Sequence, residues 1–168
     1  MSAVSLRPFL PADAVRCAEI FRASVEELAS EDYSADQCAA WAAVAGEAGF
    51  AKRLADQLTL IAVIDGETAG FASLKGADEI EMIYVDPAFA RRGVGTALLD
   101  ALAKLAQARG GQSLTSDVSD TARPLFERLG FKAERRNLVQ LDEQWLANTT
   151  MVKRFAASDA DAPSSTRQ

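Results

Sequence analysis

The chain has 168 residues, 49% hydrophobic and 25% charged, with no histidine and a formal net charge of −6. This balance suits one soluble domain with its own core and argues against a nucleic-acid or anionic-membrane binder. No apolar run reaches the ~18 residues of a membrane span, and Met1–Pro8 lacks a signal-peptide core, so a cytoplasmic protein without membrane contact is expected.

In chain order, Val4–Phe9 reads as a strand ended by Pro8 and Pro11. Ala12–Ala29 follows as a helix whose apolar face comprises Val15, Ala18, Ile20, Phe21, Val25 and Leu28. Ser34 caps a second helix running to Val44, and Ser34-Ala35-Asp36-Gln37 satisfies a capping box. Gly46 and Gly49 end it, and Phe50–Gln57 forms a short third helix. Leu58–Ile64, Asp65-Gly66 and Gly70–Lys75 read as a hairpin, then Glu79–Val85 as a strand. Val94–Arg109 is a helix closed by Gly110-Gly111, Ser113–Val118 a strand, and Thr121–Leu129 a helix with Pro124 in its first turn. Phe131–Leu141 and Asn148–Phe155 are closing antiparallel strands, and Ala156–Gln168 is expected to be a disordered polar tail. The result is one α/β domain over 1–155. Hairpins require antiparallel pairs and the strand–helix–strand unit requires a parallel one, so the sheet is mixed.

Cys17 and Cys38 have no metal-type spacing, so reduced, helix-packed thiols and no metal are expected. Without histidine, Ser-His-Asp and Cys-His chemistry are both excluded.

The richest segment is Val85-Asp86-Pro87-Ala88-Phe89-Ala90-Arg91-Arg92-Gly93-Val94-Gly95-Thr96. It reads as a strand end, a glycine-punctuated loop and a helix start. A helix N-terminus presents unpaired N–H groups and favours negative charge, and glycines let a ligand approach the backbone. Arg91 and Arg92 add positive charge. The segment therefore reads as a pyrophosphate cradle. It is not a P-loop, because no Lys follows Gly95, and Leu98 breaks the dinucleotide fingerprint.

This loop resembles the R/Q-x-x-G-x-G/A element of the GNAT superfamily of N-acetyltransferases. A second segment, Ser119 through Phe131, resembles that family's N-x-x-A-x-x-x-Y-E-K-x-G-F motif at Ala122, Glu127, Gly130 and Phe131. Two positions depart from it: Ser119 stands for Asn, and Phe126 stands for the Tyr that customarily protonates the CoA thiolate. The resemblance implies a GNAT-like mixed, mostly antiparallel twisted sheet flanked by helices. It implies acetyl-CoA as cosubstrate and a small-molecule or peptide amine as acceptor, acetylated by direct attack in a ternary complex. It also implies pyrophosphate binding by Arg91, Arg92, Gly93, Val94, Gly95 and Thr96. The pantetheine arm would be held by Ile83, Tyr84 and Val85 through backbone groups, with Ser119 and Phe126 beside it.

For catalysis, Glu79, Glu81, Ile83 and Val85 alternate onto one strand face, making Glu79 and Glu81 the general-base candidates. Glu79 aligns with the family's base, whereas Glu81 lies nearer the expected thioester. Phe126 cannot donate a proton, and Ser119, or a water it holds, is the fallback acid. Tyr33, Trp41 and Trp145 are candidates for an acceptor pocket. Between Glu19 and Glu47 seven acids face one base, Arg22, which suggests a cationic acceptor. The exposed closing strands make a homodimer plausible. A weak acyl-CoA-binding module, or a transferase for another acyl group or an O-acceptor, stays open at this level.

Overall fold

The computed structural model describes residues 3–156. The tail beyond Ala156, expected to be disordered, lies outside the described residues. Seven strands form one sheet in the order β1-β2-β3-β4-β5-β7-β6. They are β1 (Ser5–Pro8), β2 (Leu58–Ile64), β3 (Glu67–Lys75), β4 (Glu79–Val85), β5 (Ser113–Ser119), β6 (Lys132–Leu141) and β7 (Gln144–Arg154). All neighbours are antiparallel except β4 and β5. This is the mixed sheet that the strand–helix–strand unit requires.

Two helical layers cover the sheet. On one face, α1 (Ala14–Leu28), α2 (Ala35–Ala42) and α3 (Phe50–Asp56) pack Ile20, Phe21, Val25, Phe50 and Leu54 onto Ile61, Phe71 and Met82. On the other face, α4 (Val94–Ala108) and α5 (Arg123–Arg128) pack Leu98, Leu102 and Phe126 onto Ala72, Leu74, Ile80 and Val118. The α1 stripe holds at Ile20, Phe21 and Val25, and Cys17 joins it as a buried residue. Val15, assigned to that stripe from spacing, is 72% exposed instead, because at about 100° per residue it points almost directly away from Cys17, Ile20 and Phe21.

Local signals account for the element ends. Ser34 Oγ accepts from the Gln37 N–H at 3.1 Å, and Gln37 Oε1 accepts from the Ser34 N–H at 2.8 Å. The same Gln37 donates to the Trp145 carbonyl, so the cap also ties α2 to β7. Asp65 and Gly66 both have positive φ, giving a tight two-residue turn. As a result β3 begins at Glu67, three residues earlier than the sequence suggests. Helix α5 ends in a Schellman motif: the Phe131 N–H bonds the Phe126 carbonyl, the Gly130 N–H bonds the Glu127 carbonyl, and Gly130 has φ +94. The Phe126 and Phe131 rings meet edge-on at 4.9 Å, which is the apolar contact such an ending favours.

The pairing of β4 positions the site. Leu74 pairs with Ile80 and Ser73 with Met82, which leaves Glu81 as an extra residue in β4. This bulge changes the face along the strand. Ile80, Ile83 and Val85 face the α4 layer, whereas Met82 and Tyr84 face the α1–α3 layer. The uninterrupted alternation that placed Glu81, Ile83 and Val85 together is therefore incorrect, because a bulge shifts the two-residue period by one. The parallel ladder between β4 and β5 covers only Glu79↔Thr115 and Ile80↔Ser116. Beyond it the two strands part.

Gly70 sits where β3 passes beneath the start of α4. A Cβ there would lie 2.8 Å from the Tyr84 carbonyl oxygen and 2.9 Å from Val94 Cγ1. Gly70→Ala is expected to destabilise the fold by about 1–3 kcal/mol, since a backbone carbonyl cannot step aside cheaply. Urea denaturation of the two proteins measures this, and equal stability would refute the close packing.

Candidate active site

Two cavities meet in the opening between β4 and β5. The first, about 390 Å³, runs from Val25 and Leu28 on α1 past Ile83, Tyr84 and Val85 to the loop Arg91–Thr96 and Arg128. The second, about 320 Å³, lies towards α2, α3 and the β6–β7 hairpin and is walled by Tyr33, Glu47, Arg53, Glu81, Asp117 and Asn148, among others. Trp41, Ile83, Tyr84, Ser119 and Ala122 line both. From Met82 onward β4 has no strand partner on its β5 side. Unpaired strand groups of this kind are ready to bond an extended ligand.

The far end of the first cavity is built from the Asp86–Thr96 segment. Asp86 Oδ1 accepts from the Ala88 N–H at 2.9 Å, and its other oxygen is paired with Arg16 of α1. Arg91 and Gly93 both have left-handed backbones, with φ +63 and +81. Such turns aim successive N–H groups to one side, and α4 begins immediately after with its own unpaired N–H groups. At Gly95 an added Cβ would lie 2.7 Å from Leu125 Cδ2, so glycine is what lets α4 approach α5 here. Arg91, Gly93, Val94, Gly95 and Thr96 line this cavity. Arg92 does not; its guanidinium lies 5.5 Å above the Phe89 ring.

The two carboxylate candidates separate. Glu79 is exposed and lines neither cavity. Glu81, carried by the bulge, lines the second cavity and pairs with Arg53 of α3 at 2.9 Å, with Lys75 at 4.0 Å. Ser119 Oγ accepts from the Ala122 N–H at 3.1 Å, capping the turn into α5. Phe126 is 1% exposed and lines only the second cavity.

Tyr33 and Trp41, proposed for an acceptor pocket from sequence, both line the second cavity. Trp145 does not: it is 54% exposed and lines neither cavity, while its neighbours Leu146, Ala147 and Asn148 do line one. The strand simply begins earlier than expected, at Gln144, which fixes the outward direction of Trp145. Tyr33 Oη donates to the Ala147 carbonyl at 2.6 Å and accepts from the Asp120 N–H at 2.9 Å. Burial raises its phenol above the usual range. Arg136 bonds Asp120 at 2.9 Å and holds that carboxyl below its ordinary value. Together these bonds brace the start of α5 against the turn before α2, β6 and β7.

Sequence reading missed Arg53, Asp117 and Asn148, and placed Glu47 only within a run of acids rather than at the cavity wall. The three missed residues come from α3, β5 and β7, and no local spacing links them. The cysteines are free and buried, as expected. Burial pushes the Cys17 thiol up to about 12, so it is no thiolate nucleophile at neutral pH. Among the described residues, no group of His, Cys, Asp or Glu could hold a metal, and no helix is long and apolar enough to cross a membrane.

Comparisons with known proteins agree with this architecture. A family model described as an acetyltransferase (GNAT) domain matches residues 29–155. The Escherichia coli K12 protein described as an uncharacterized N-acetyltransferase, YafP, is 35% identical over 151 residues, 90% of this chain and 96% of that protein. The crystal structure of a GCN5-related N-acetyltransferase from Rhodopseudomonas palustris superposes with a TM-score of 0.90 at 53% identity, covering 92% of this chain and 98% of that one. PaiA N-acetyltransferase from Thermoplasma acidophilum, solved in complex with coenzyme A, shares the fold at a TM-score of 0.75 and 17% identity, covering 91% of this chain and 99% of that one. With its split parallel strand pair, its glycine-led helix start and these relatives, the chain belongs to the GNAT acetyltransferase family and is an N-acetyltransferase.

Proposed function

We propose that the protein transfers the acetyl group of acetyl-CoA to a primary amine by direct attack in a ternary complex. The observation that carries this reading is the pair of cavities joined through the β4–β5 opening. One side offers a phosphate cradle at the start of α4, and the other offers carboxylates. The pyrophosphate would rest on the N–H groups of Gly93–Thr96, with Arg91 adding charge, while Arg92 stays on Phe89. The pantetheine arm would lie along Ile83, Tyr84 and Val85. The acetyl group would then reach the wall shared by both cavities, where Ser119 shapes the turn and an amine can approach from the second cavity. Neighbours of the same fold solved with coenzyme A or acetyl-CoA support acetyl-CoA as the cosubstrate.

Glu81 is the proposed general base. It sits in the acceptor-side wall with its direction fixed by Arg53, and can take a proton from the attacking nitrogen directly or through one water. Glu47, Glu81 and Asp117 outnumber Arg53 along that wall, which favours an acceptor carrying a second positive charge. Of the acids on the first two helices and the loop after them, only Glu47 contributes there. The cationic preference therefore rests on the cavity rather than on a broad acidic rim.

Gly95→Val is expected to abolish measurable acetyl-CoA binding by calorimetry, because a branched side chain at the start of α4 would occupy the backbone approach that Gly95 leaves open to the first cavity. Circular dichroism confirms that the variant is folded, and unchanged affinity in a folded variant would remove the cradle. Glu81→Gln should lower kcat/KM by about 10²-fold or more, with acetyl-CoA affinity retained. Assayed with matched mono- and dicationic amines, the wild type should prefer the dication at low salt and lose that preference at high salt. Wild-type rates in the variant would make Glu81 a structural partner of Arg53 only.

A further inference from the structure

The chain has two tyrosines. Tyr33 uses both halves of its hydroxyl, donating to Ala147 and accepting from Asp120. Tyr84 differs. Its Oη accepts from Trp41 Nε1 at 3.2 Å, and among the described residues no protein group accepts its proton. Tyr84 is half-buried and opens onto both cavities, so its donor is free to meet a ligand there. The ring has little freedom to turn away, since its centroid lies 4.3 Å from Phe21, 5.7 Å from Phe71 and 6.4 Å from Trp41. Tyr84 and Trp41 both line the two cavities where they join. Phe126 carries no hydroxyl and lines only the acceptor side. Ser119 is the other hydroxyl on the shared wall.

We propose that Tyr84 Oη–H donates the hydrogen bond that stabilises the departing CoA thiolate, an assignment that rests on the acetyl-CoA reading above. The neutral amine forms its C–N bond with the carbonyl carbon, the C–S bond breaks, and its electron pair goes to sulfur. The surplus proton on nitrogen leaves through Glu81, and the thiolate leaves hydrogen-bonded to Tyr84 and is protonated in solvent. Tyr84 keeps its own proton. Burial pushes its phenol up to about 12, against the opposing pull of the Trp41 hydrogen bond, with Arg53, Glu81 and Tyr33 the charged or titratable groups that bear on it. An ordinary thiol titrates near 8.5, so the shared proton stays on oxygen, and Tyr84 is a donor rather than an acid. A bond to an ionised acceptor is about twice as strong as a neutral one. The Trp41 N–H further polarises the phenol, whereas Ser119 offers an alkyl hydroxyl, a weaker donor.

The test needs no acceptor amine. Coenzyme A itself is bound to the wild type, and its thiolate absorbance is titrated with pH in the complex. In Tyr84→Phe, CoA should still bind by calorimetry, while the bound thiol becomes about tenfold less acidic, a shift of about one pKa unit. Trp41→Phe keeps the Tyr84 hydroxyl but removes its polarising donor, and should move the bound thiol in the same direction by a smaller step. This second variant carries the test if Tyr84→Phe does not fold. Equal thiol titrations in wild type and both variants would overturn the assignment. So would a shift in Ser119→Ala with none in Tyr84→Phe. If the wild type does not bind CoA at all, the acetyl-CoA reading falls, and this assignment falls with it.

Discussion

One extra residue in β4 decides where the site lies. Up to Ile80 the strand pairs with β3 on one side and β5 on the other. At Glu81 the ladder with β3 slips, and the ladder with β5 has already stopped. A bulge bends its strand and increases the local twist, and a bent β4 cannot stay parallel to β5. The sheet therefore opens at its centre, where two buried strands would otherwise satisfy each other. The same slip turns Met82 and the Tyr84 ring towards α1–α3, on the side where Glu81 meets Arg53, leaving Ile83 and Val85 against α4.

The rest of the fold holds that opening in shape. Each face has its own core, so neither helical layer depends on the strands closing. Helix α4 comes near because Gly70 and Gly95 leave room at its first turn. Helix α5 is short, but its Schellman ending locks Phe126 against Phe131 and fixes one wall. Tyr33 and Arg136 tie the opposite side of that wall to the turn before α2 and to β6 through Asp120. The opening is thus bounded by elements fixed through side-chain bonds rather than by free loops, which suits a site that must align two substrates.

Much of this is legible in the residues. The capping box at Ser34, the Asp65-Gly66 turn and Gly130 are local rules, and each holds in the structure. The glycine-led start of α4 is equally local. Other features depend on partners distant in the chain. The bulge at Glu81 leaves no mark in β4, because Glu-Ile-Glu-Met reads as ordinary alternation until β3 is set beside it. The Arg53–Glu81 pair spans 28 positions and the Trp41–Tyr84 bond 43. The early start of β7 escaped notice because Asp142-Glu143 makes a two-residue connection without the glycine that usually marks one. What remains illegible is therefore long-range: which side chains the fold brings to one wall.

The central claim is that the gap between β4 and β5 is where the cofactor lies, and amide hydrogen exchange measures it directly. Exchange is followed with and without saturating acetyl-CoA. Bound cofactor should slow exchange in residues 82–85 and 117–119, on the two sides of the gap, and in residues 93–97 at the start of α4. Binding with protection confined to another surface, such as the groove between α1 and α2 beside Arg22 and Cys38, would contradict it.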